Sequence, residues 1–420
     1  MSQIVVTYAI ETPGSVERMA EKIASDQSTG TFVAVPGETE ELKMRVAARV
    51  LSVRDHSSGE RPSWPEAPEA PVNRGVADIA FPLDAIGTDL AALMTIAIGG
   101  AFSIRGLTGL RIVDMKLPED YKAAYAGPQF GIDGGRQLTN VYGRPIIGTI
   151  LKPALGLRPD ETAGLVGALL KSGVDFIKDD EKLMSPVYSP LKERIAHVMP
   201  KIRDHEQATG KKVMYAFGIS ATDPDEMVRN HDMVVEAGGN CAVVNINSVG
   251  MAAFHFLRKR SNIVLHAHRN GWDMLTRHPA IGFDFKVWQQ FWRLLGVDQF
   301  QINGIRVKYW EPDESFVESF KAISTPIFDG KDRSLPVVCS GQWGGQAPET
   351  YWRTGETIDH MYLCGGGIVS HPQGPAAGVL AVRQAWEAAV AGIPLYEFAR
   401  SHPELKASLG KFDPQGEYRN

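Results

Sequence analysis

The clearest pattern in the chain begins near residue 140, where short apolar runs rich in β-branched residues alternate with longer amphipathic stretches of helical periodicity. Strands joined by helical crossovers run parallel. Eight such units over roughly 250 residues match a (β/α)₈ barrel, so the pattern predicts an α/β fold with a C-terminal TIM barrel. A doubly wound parallel sheet is the alternative. The predicted strands are residues 146–151, 174–178, 213–217, 242–247, 262–268, 299–303, 336–340 and 361–364.

The residues before the barrel have a different pattern, which is typical of a compact α+β domain. A Gly/Pro-rich run after Tyr125 is suited to a domain boundary. The sequence therefore predicts an N-terminal α+β domain over residues 1–130 and a barrel domain over residues 131–420, which ends in a C-terminal helical extension. The predicted N-terminal elements are strands near 4–8 and 46–53, a helix near 15–25 and an exposed Pro-rich loop from 57 to 73.

Polar side chains recur at or just after the C-terminal ends of the predicted barrel strands. In a (β/α)₈ barrel these ends converge on one mouth, which is where such enzymes place their catalytic residues. A strand-end hydrogen bond would explain any one of these residues, but it explains their repetition poorly. We therefore predict an active site at this mouth. The residues are Lys152, Lys178, Asp180, Glu181, Asn247, His266, His268, Arg269, Asn303, Ser340 and Gly341.

One strand end carries a lysine and two carboxylates, Lys178, Asp180 and Glu181. Carboxylates supply the hard oxygen ligands that Mg²⁺ prefers. An ammonium group would repel the metal, so the lysine either pairs with the carboxylates as a buried ion triad or reacts with CO₂ to become a carbamate ligand. A salt-bridged strand end without metal accounts for these three residues equally well.

Two Gly-rich loops follow the last two predicted strands, at 340–345 and 365–367. In barrels the loops after strands 7 and 8 often bind phosphate through backbone N–H groups, and glycine allows a close approach to the anion. Tight turn geometry alone is the alternative. Arg269 offers a guanidinium suited to phosphate or carboxylate. Because a hard ion is favoured nearby, we interpret His268 as a substrate-positioning or acid/base group rather than a metal ligand, although lone histidines are often only structural.

The composition is that of an ordinary globular protein, with 44% hydrophobic and 22% charged residues in 420. A net charge of −5 without long blocks of one sign argues against nucleic acid or an acidic membrane as the main partner. We expect neither a signal peptide nor a membrane span. Cys241, Cys339 and Cys364 lack metal-type spacing, so we expect buried reduced thiols in a cytoplasmic protein.

Several segments carry motifs of one known family, and Lys152 and Lys178 stand at that family's spacing of 26 residues. The chain resembles, nearly end to end, the large subunit of ribulose-bisphosphate carboxylase (RuBisCO), and more closely the RuBisCO-like proteins. The segments are STGT at 28–31, GTILKPALGL at 148–157, GVDFIKDDE at 173–181, HAHR at 266–269, SG at 340–341 and GGG at 365–367.

The resemblance implies that Lys178 is carbamylated by CO₂ and that this carbamate holds Mg²⁺ together with Asp180 and Glu181. It also implies a homodimer or higher homo-oligomer, in which the loop with Thr31 reaches the active site of a partner subunit. Lys152 matches the family's first active-site lysine. The last phosphate-binding loop of the family corresponds to the segment that contains Gly366 and Gly367.

Departures from the family pattern surround the substrate. Gln301 is the substitute for a phosphate-side histidine, and Lys308 is only an ambiguous counterpart of the mobile-loop lysine because the loop length differs. We therefore do not expect CO₂ fixation on ribulose bisphosphate. The other departures are Phe32, Gly100, Ile150, Ala154 and Trp272.

What remains suits an enediolate intermediate. Segments 177–186 and 303–308 are similar to RuBisCO-like proteins of apiose catabolism. We therefore expect Mg²⁺-dependent decarboxylation of a small phosphorylated β-keto sugar acid of the 3-oxo-isoapionate 4-phosphate type, or a closely related transcarboxylation. Lys152 would protonate the enediolate, His268 would orient a substrate hydroxyl, and Arg269 with the glycine loops would hold the phosphate. The alternatives are an enolase or isomerase of a methylthio-ketose phosphate in methionine salvage, and a scaffold that has lost chemistry.

Overall fold

The computed structural model describes residues 2–31, 33, 35–59, 61–63 and 71–418. The chain forms two compact units. The first unit is Met1–Ala126 together with Gly271–Phe291, and the second is Gly127–Asn270 together with Trp292–Asn420. The predicted division into residues 1–130 and 131–420 stays a proposal, and it does not represent the return of the chain to the first unit at 271–291.

The strands of the described residues are β1 (Gln3–Thr12), β2 (Arg49–Gly59), β3 (Val72–Pro82), β4 (Gly109–Lys116), β5 (Ile146–Ile150), β6 (Phe176–Lys178), β7 (Met214–Gly218), β8 (Cys241–Asn245), β9 (Val264–His268), β10 (Ile281–Phe283), β11 (Gln299–Ile302), β12 (Leu335–Val338) and β13 (Met361–Leu363).

The α-helices are α1 (Val16–Asp26), α2 (Glu40–Val46), α3 (Leu83–Ile86), α4 (Leu90–Leu93), α5 (Asp120–Ala124), α6 (Gly131–Thr139), α7 (Pro159–Leu170), α8 (Leu191–Thr209), α9 (Pro224–Glu236), α10 (Ile246–Arg258), α11 (Asp273–Thr276), α12 (Phe285–Leu294), α13 (Asp313–Ser324), α14 (Ala347–Arg353), α15 (Gly366–Val369), α16 (Pro375–Ala391), α17 (Leu395–Phe398) and α18 (Pro403–Phe412). A π-helical stretch covers Met94–Gly99, and 3₁₀ turns cover Ala101–Ser103, Gly330–Asp332 and Gly344–Gln346.

The first unit is built on a five-stranded sheet in the order β10-β4-β1-β3-β2. All its pairings are antiparallel except that of β10, which runs parallel to β4. Alternate residues of β1 are buried because successive side chains of a strand point to opposite faces. Helix α1 packs its apolar side chains on the sheet, and the Ser15 side chain caps it by accepting from the Arg18 N–H. The buried residues of β1 include Ile4, Val6, Tyr8 and Ile10.

The second unit contains a closed barrel of eight parallel strands in the order β11-β12-β13-β5-β6-β7-β8-β9. Closure leaves no free sheet edge, and it confirms the predicted (β/α)₈ barrel over the doubly wound alternative. Apolar side chains fill the interior as a packed core. The core includes Ile132, Val141, Ile146, Phe176, Met214, Ala216, Cys241, Val243, Val264, Leu335, Val337, Cys339, Met361 and Leu363.

All eight predicted barrel strands are present, with ends that differ by no more than two residues from the prediction. In the first unit the helix predicted near 15–25 is confirmed by α1. The strand predicted at 46–53 starts too early because residues 40–46 form α2. The Pro-rich loop was predicted too long, since β2 includes residues 57–59 and β3 begins at Val72. Residues 60 and 64–70 of that stretch lie outside the described residues.

Cys241, Cys339 and Cys364 are buried and form no disulfide, as the sequence predicted. In the part of the chain that the structure describes, no helix combines the length and the apolar character that a bilayer crossing requires.

A close helix contact lies directly beside the end of the barrel. At Gly378 in α16, an added Cβ would overlap the carbonyl oxygen of Ile368, which belongs to the short helix α15 that follows β13. Gly164 in α7 is also a helical glycine, but nothing lies within 4 Å of a Cβ at that position. A substitution at Gly164 therefore tests helix propensity alone, whereas the same substitution at Gly378 also tests packing.

Alanine substitutions at these glycines should have opposite effects. Gly164→Ala should raise the free energy of unfolding by about 0.5–1 kcal/mol, because alanine is the better helix former. Gly378→Ala should lower it by about 1–3 kcal/mol through overpacking. Urea unfolding followed by circular dichroism measures both, and a stabilised Gly378→Ala protein would contradict the packing argument.

Candidate active site

Three strand ends bring the predicted catalytic and metal-binding side chains together at the C-terminal mouth of the barrel. Lys152 follows β5, Lys178 ends β6 and His268 ends β9. The Lys152 Nζ lies 2.6 Å from the Asp180 Oδ2. The Glu181 Oε2 lies 3.5 Å from the Lys178 Nζ and 3.3 Å from the His268 Nε2. These five residues form one cluster, as the strand-end pattern predicted.

Lys178 is fully buried, with 0% of its side chain exposed. Burial lowers the pKa of its amine, an effect that the charges of Glu181 and Asp180 only partly oppose. The ammonium also donates to the backbone carbonyl of Asp179 at 2.8 Å. The neutral amine is the nucleophilic form of lysine, so this burial favours the form that reacts with CO₂.

Glu181 remains a carboxylate in this environment. Burial alone would raise the pKa of its side chain, but the positive charges of Lys178 and Lys152 contribute to a net lowering. The Asn245 side-chain amide donates to the Glu181 backbone carbonyl at 2.8 Å, which fixes this segment to the end of β8.

His268 is a neutral imidazole. Burial, together with the positive charge of Lys178, holds its pKa well below the usual value. Its Nδ1 accepts from the backbone N–H of Asn270 at 3.2 Å. The remaining proton therefore sits on Nε2, which donates to Glu181. His268 consequently offers the site a hydrogen-bond donor.

Asp179 has a structural role although it lies between Lys178 and Asp180. Its carboxylate accepts from the Arg194 Nε at 2.9 Å, the Tyr215 hydroxyl at 2.6 Å and the Gly218 N–H at 3.0 Å. Both Asp179 and Arg194 are completely buried. The Asp179 carboxylate therefore bonds to groups of the scaffold.

The chemistry of the donor set fits a magnesium ion only if Lys178 is modified. Asp180 and Glu181 provide carboxylate oxygens, and a carbamate on Lys178 would add a third hard oxygen ligand. Among the described residues no group of three or more His, Cys, Asp and Glu side chains is arranged to hold a metal. With an unmodified lysine, the same residues form the ion pairs that the sequence left as the alternative.

The two Gly-rich loops have different local roles. Ser340 and Gly341 both have left-handed backbone conformations, with φ of 73° and 93°. The Lys308 side chain lies against Gly341, and its backbone N–H donates to the Ser340 carbonyl at 3.4 Å. Gly366 faces open space, whereas a Cβ on Gly367 would overlap the carbonyl oxygen of Gln342. Space for a ligand is therefore found at Gly366, and Gly367 joins the two loops.

Gln301 is buried in the barrel interior, where its side-chain amide donates to the His266 Nε2 at 3.0 Å. The opposite nitrogen of His266 donates to the Gln299 Oε1 at 2.9 Å. Burial lowers the pKa of His266 to about 3, so its imidazole is neutral. The substrate-binding role of Gln301 stays a prediction.

Arg269 lies at the mouth, after β9, and forms an ion pair that the sequence did not indicate. Its Nη2 is 3.2 Å from the Oε2 of Glu311, in the loop between β11 and α13. No motif marks Glu311 in the sequence. The only available signal is its place eight residues after Asn303, a strand-end residue.

Thr31 belongs to the first unit, where it is exposed and its hydroxyl donates to the Val33 carbonyl. The same loop lines a cavity of about 700 Å³, whose other walls come from α1, from α2 with its flanking residues and from the start of β2. The predicted role of Thr31 at a partner's active site stays a proposal. Phe32, one of the departures from the family pattern, lies outside the described residues.

Comparison with known proteins identifies the family. The family model for the catalytic domain of the ribulose bisphosphate carboxylase large chain matches residues 131–412, and that for its N-terminal domain matches residues 1–121. The chain belongs to the ribulose bisphosphate carboxylase large-chain family. The resemblance stated from the motifs is confirmed, and it extends over both units.

Within this family, the chain is 75% identical to a 3-oxo-isoapionate-4-phosphate decarboxylase of Rhizobium rhizogenes, over 97% of this chain and 98% of that protein. It is 41% identical to a 3-oxo-isoapionate-4-phosphate transcarboxylase/hydrolase of Xanthobacter autotrophicus, over 97% of this chain and 99% of that protein. A RuBisCO-like protein of Burkholderia fungorum has the same fold, with a TM-score of 0.91 and 38% identity over 98% of this chain and 100% of that chain.

Adjacent carboxylates in this site should differ in their contribution to stability. Asp179→Asn should lower the free energy of unfolding by about 3–5 kcal/mol, because it leaves the buried Arg194 without its charge partner. Asp180→Asn should cost less, because its ion-pair partner Lys152 is 39% exposed and can be solvated by water. Urea unfolding of both variants checks this, and equal losses would contradict the distinction.

Proposed function

We propose that this protein is a Mg²⁺-dependent decarboxylase of a small phosphorylated β-keto sugar acid of the 3-oxo-isoapionate 4-phosphate type, acting through an enediolate in carbohydrate catabolism. The observation that carries the proposal is the 75% identity to a decarboxylase of that name over nearly the whole chain. The clustered Lys152, Lys178, Asp180 and Glu181 support it, because they retain the groups that such chemistry needs.

The residues that would hold the metal are Asp180, Glu181 and Lys178 in its carbamate form. When bound, Mg²⁺ supplies the positive charge that offsets negative charge developing on substrate oxygens. The burial of Lys178 supports this role, because it favours the neutral amine that adds to CO₂. We propose the carbamate as a permanent structural ligand, distinct from the CO₂ that the reaction releases.

Lys152 is the group suited to proton transfer. Loss of CO₂ breaks the bond between the carboxylate carbon and the adjacent carbon, and the electron pair remains on the enediolate. The Lys152 ammonium then gives a proton to that carbon and is recharged from solvent, which reaches its side chain because 39% of it is exposed. His268, with its proton on Nε2, would orient a substrate hydroxyl.

We propose that the phosphate of the substrate binds at the Gly-rich loops. Backbone N–H groups near Gly366, together with the loop that contains Ser340 and Gly341, would bind it. The open space at Gly366 supports this placement. Arg269 is the other predicted phosphate ligand. Its ion pair with Glu311 offsets the positive charge that would attract a phosphate.

We further propose a cytoplasmic homodimer or higher homo-oligomer, in which the loop with Thr31 contributes to a partner's active site. The exposure of Thr31 and the position of the loop motif at 28–31 support this assembly. The three buried, unbridged thiols suit a reducing compartment.

The decarboxylase proposal predicts release of CO₂ from 3-oxo-isoapionate 4-phosphate by purified protein with Mg²⁺ and bicarbonate. Lys178→Ala should reduce this rate by roughly 100-fold or more, because the metal loses a ligand. Lys192→Ala, in the exposed part of α8, serves as the matched control and should retain activity. The proposal fails if the wild-type protein releases no CO₂, and solvent deuterium entering a methylthio-ketose phosphate would instead identify an enolase.

Substitutions of Lys152 and of Lys178 should have different effects on metal affinity. Lys152→Met should lose roughly 100-fold or more in decarboxylation but keep its affinity for Mn²⁺, used as a spectroscopic substitute for Mg²⁺. Lys178→Ala should lose both. Electron paramagnetic resonance titration of free Mn²⁺ measures the affinity, and a loss of Mn²⁺ binding in Lys152→Met would assign that lysine to the metal site instead.

A further inference from the structure

The Arg269–Glu311 pair is held more firmly than a surface ion pair. Only 8% of the Arg269 side chain and 1% of the Glu311 side chain are exposed. The Glu311 Oε2 accepts from Arg269 and also from the Asn303 side-chain amide. Its Oε1 accepts from the Ser315 hydroxyl at 2.8 Å. Both carboxylate oxygens are therefore fixed, and the negative charge is anchored beside the arginine.

Arg269 and the Gly-rich phosphate loop lie on different sides of the barrel mouth. Arg269 follows β9 and Gly366 follows β13, and β11 and β12 separate these strands in the barrel. The two strand ends are three strand positions apart, which places them roughly 13 Å from each other at the usual strand spacing and tilt. An extended five-carbon sugar acid with a phosphate at one end, together with the reach of the arginine side chain, can span this distance. The far end of such a ligand would then meet the Arg269–Glu311 pair.

We propose that Glu311 is a specificity-determining residue, which neutralises Arg269 so that the site accepts one phosphate and rejects a second phosphate at the other end of the substrate. This proposal rests on the proposed function, since it takes the Gly-rich loops as the phosphate site. It deepens that function by assigning the rejection of a second phosphate to one residue, Glu311.

A second phosphate would need a positive charge at the Arg269 side of the mouth. The Glu311 carboxylate lies there and offsets the charge of the arginine. A phosphate at Arg269 would either displace Glu311, which loses its bonds to Asn303 and Ser315, or lie beside it as a like charge. Like charges placed together in a buried site are strongly unfavourable. A hydroxyl group meets no such penalty, because it can donate to the Glu311 carboxylate.

The test compares two unreactive polyols, ribitol 5-phosphate and ribitol 1,5-bisphosphate, by isothermal titration calorimetry on protein supplied with Mg²⁺ and bicarbonate. In the wild-type protein the bisphosphate should bind no tighter than the monophosphate. Glu311→Gln should improve the ratio of the two dissociation constants in favour of the bisphosphate by about tenfold, because it removes the charge while keeping the shape of the side chain.

Two variants serve as controls. Glu314→Gln removes a carboxylate that is exposed on α13, and Ser315→Ala removes a hydrogen bond of Glu311 without removing its charge. Both should leave the ratio within threefold of the wild-type value. An unchanged ratio in Glu311→Gln, or a wild-type protein that binds the bisphosphate more than tenfold tighter, would overturn the proposal. Because binding is measured without turnover, this result is independent of whether CO₂ is released.

Discussion

The burial of a single amine at the end of β6 constrains the whole active site. Lys178 lies in the barrel interior without solvent contact, so its charge must be balanced by neighbours or removed by loss of a proton. Glu181 supplies the balancing charge, and His268 stays neutral nearby. Balancing the charge requires the Glu181 carboxylate to remain charged and close to the amine. Burial of this lysine therefore costs stability, and in the proposed function it favours the neutral amine that reacts with CO₂.

The barrel and most of the cluster could be predicted from the sequence because the relevant signals are local. The alternation of apolar runs and amphipathic stretches locates each strand, and parallel strands necessarily present their C-terminal ends on one side. The sequence therefore predicts that residues at or just after these ends, such as Lys152 and His268, lie close together. The pattern predicts strand ends less precisely. The apolar run predicted as a strand over residues 242–247 continues past the end of β8, and Ile246 already begins α10.

The rest of the site depends on contacts between residues that are distant in sequence. Asp179 and Asp180 are chemically identical neighbours, and the contacts of Asp179 with Arg194 and Tyr215 distinguish this scaffold carboxylate from the proposed metal ligand beside it. Glu311 lies in the loop between β11 and α13 and pairs with Arg269, which follows β9. Gln301, predicted to substitute for a phosphate-side histidine, also donates its side-chain amide to His266. No local pattern encodes such pairings.

The parallel pairing of β10 with β4 also restricts how the gene can recombine. The segment Gly271–Phe291 leaves the barrel sequence and contributes a strand to the sheet of the first unit. A single crossover that exchanged residues 1–126 between relatives would therefore combine four strands from one parent with an edge strand from the other. The pairing between β10 and β4 is preserved when both come from the same parent. A functional chimera must therefore exchange residues 1–126 and 271–291 together.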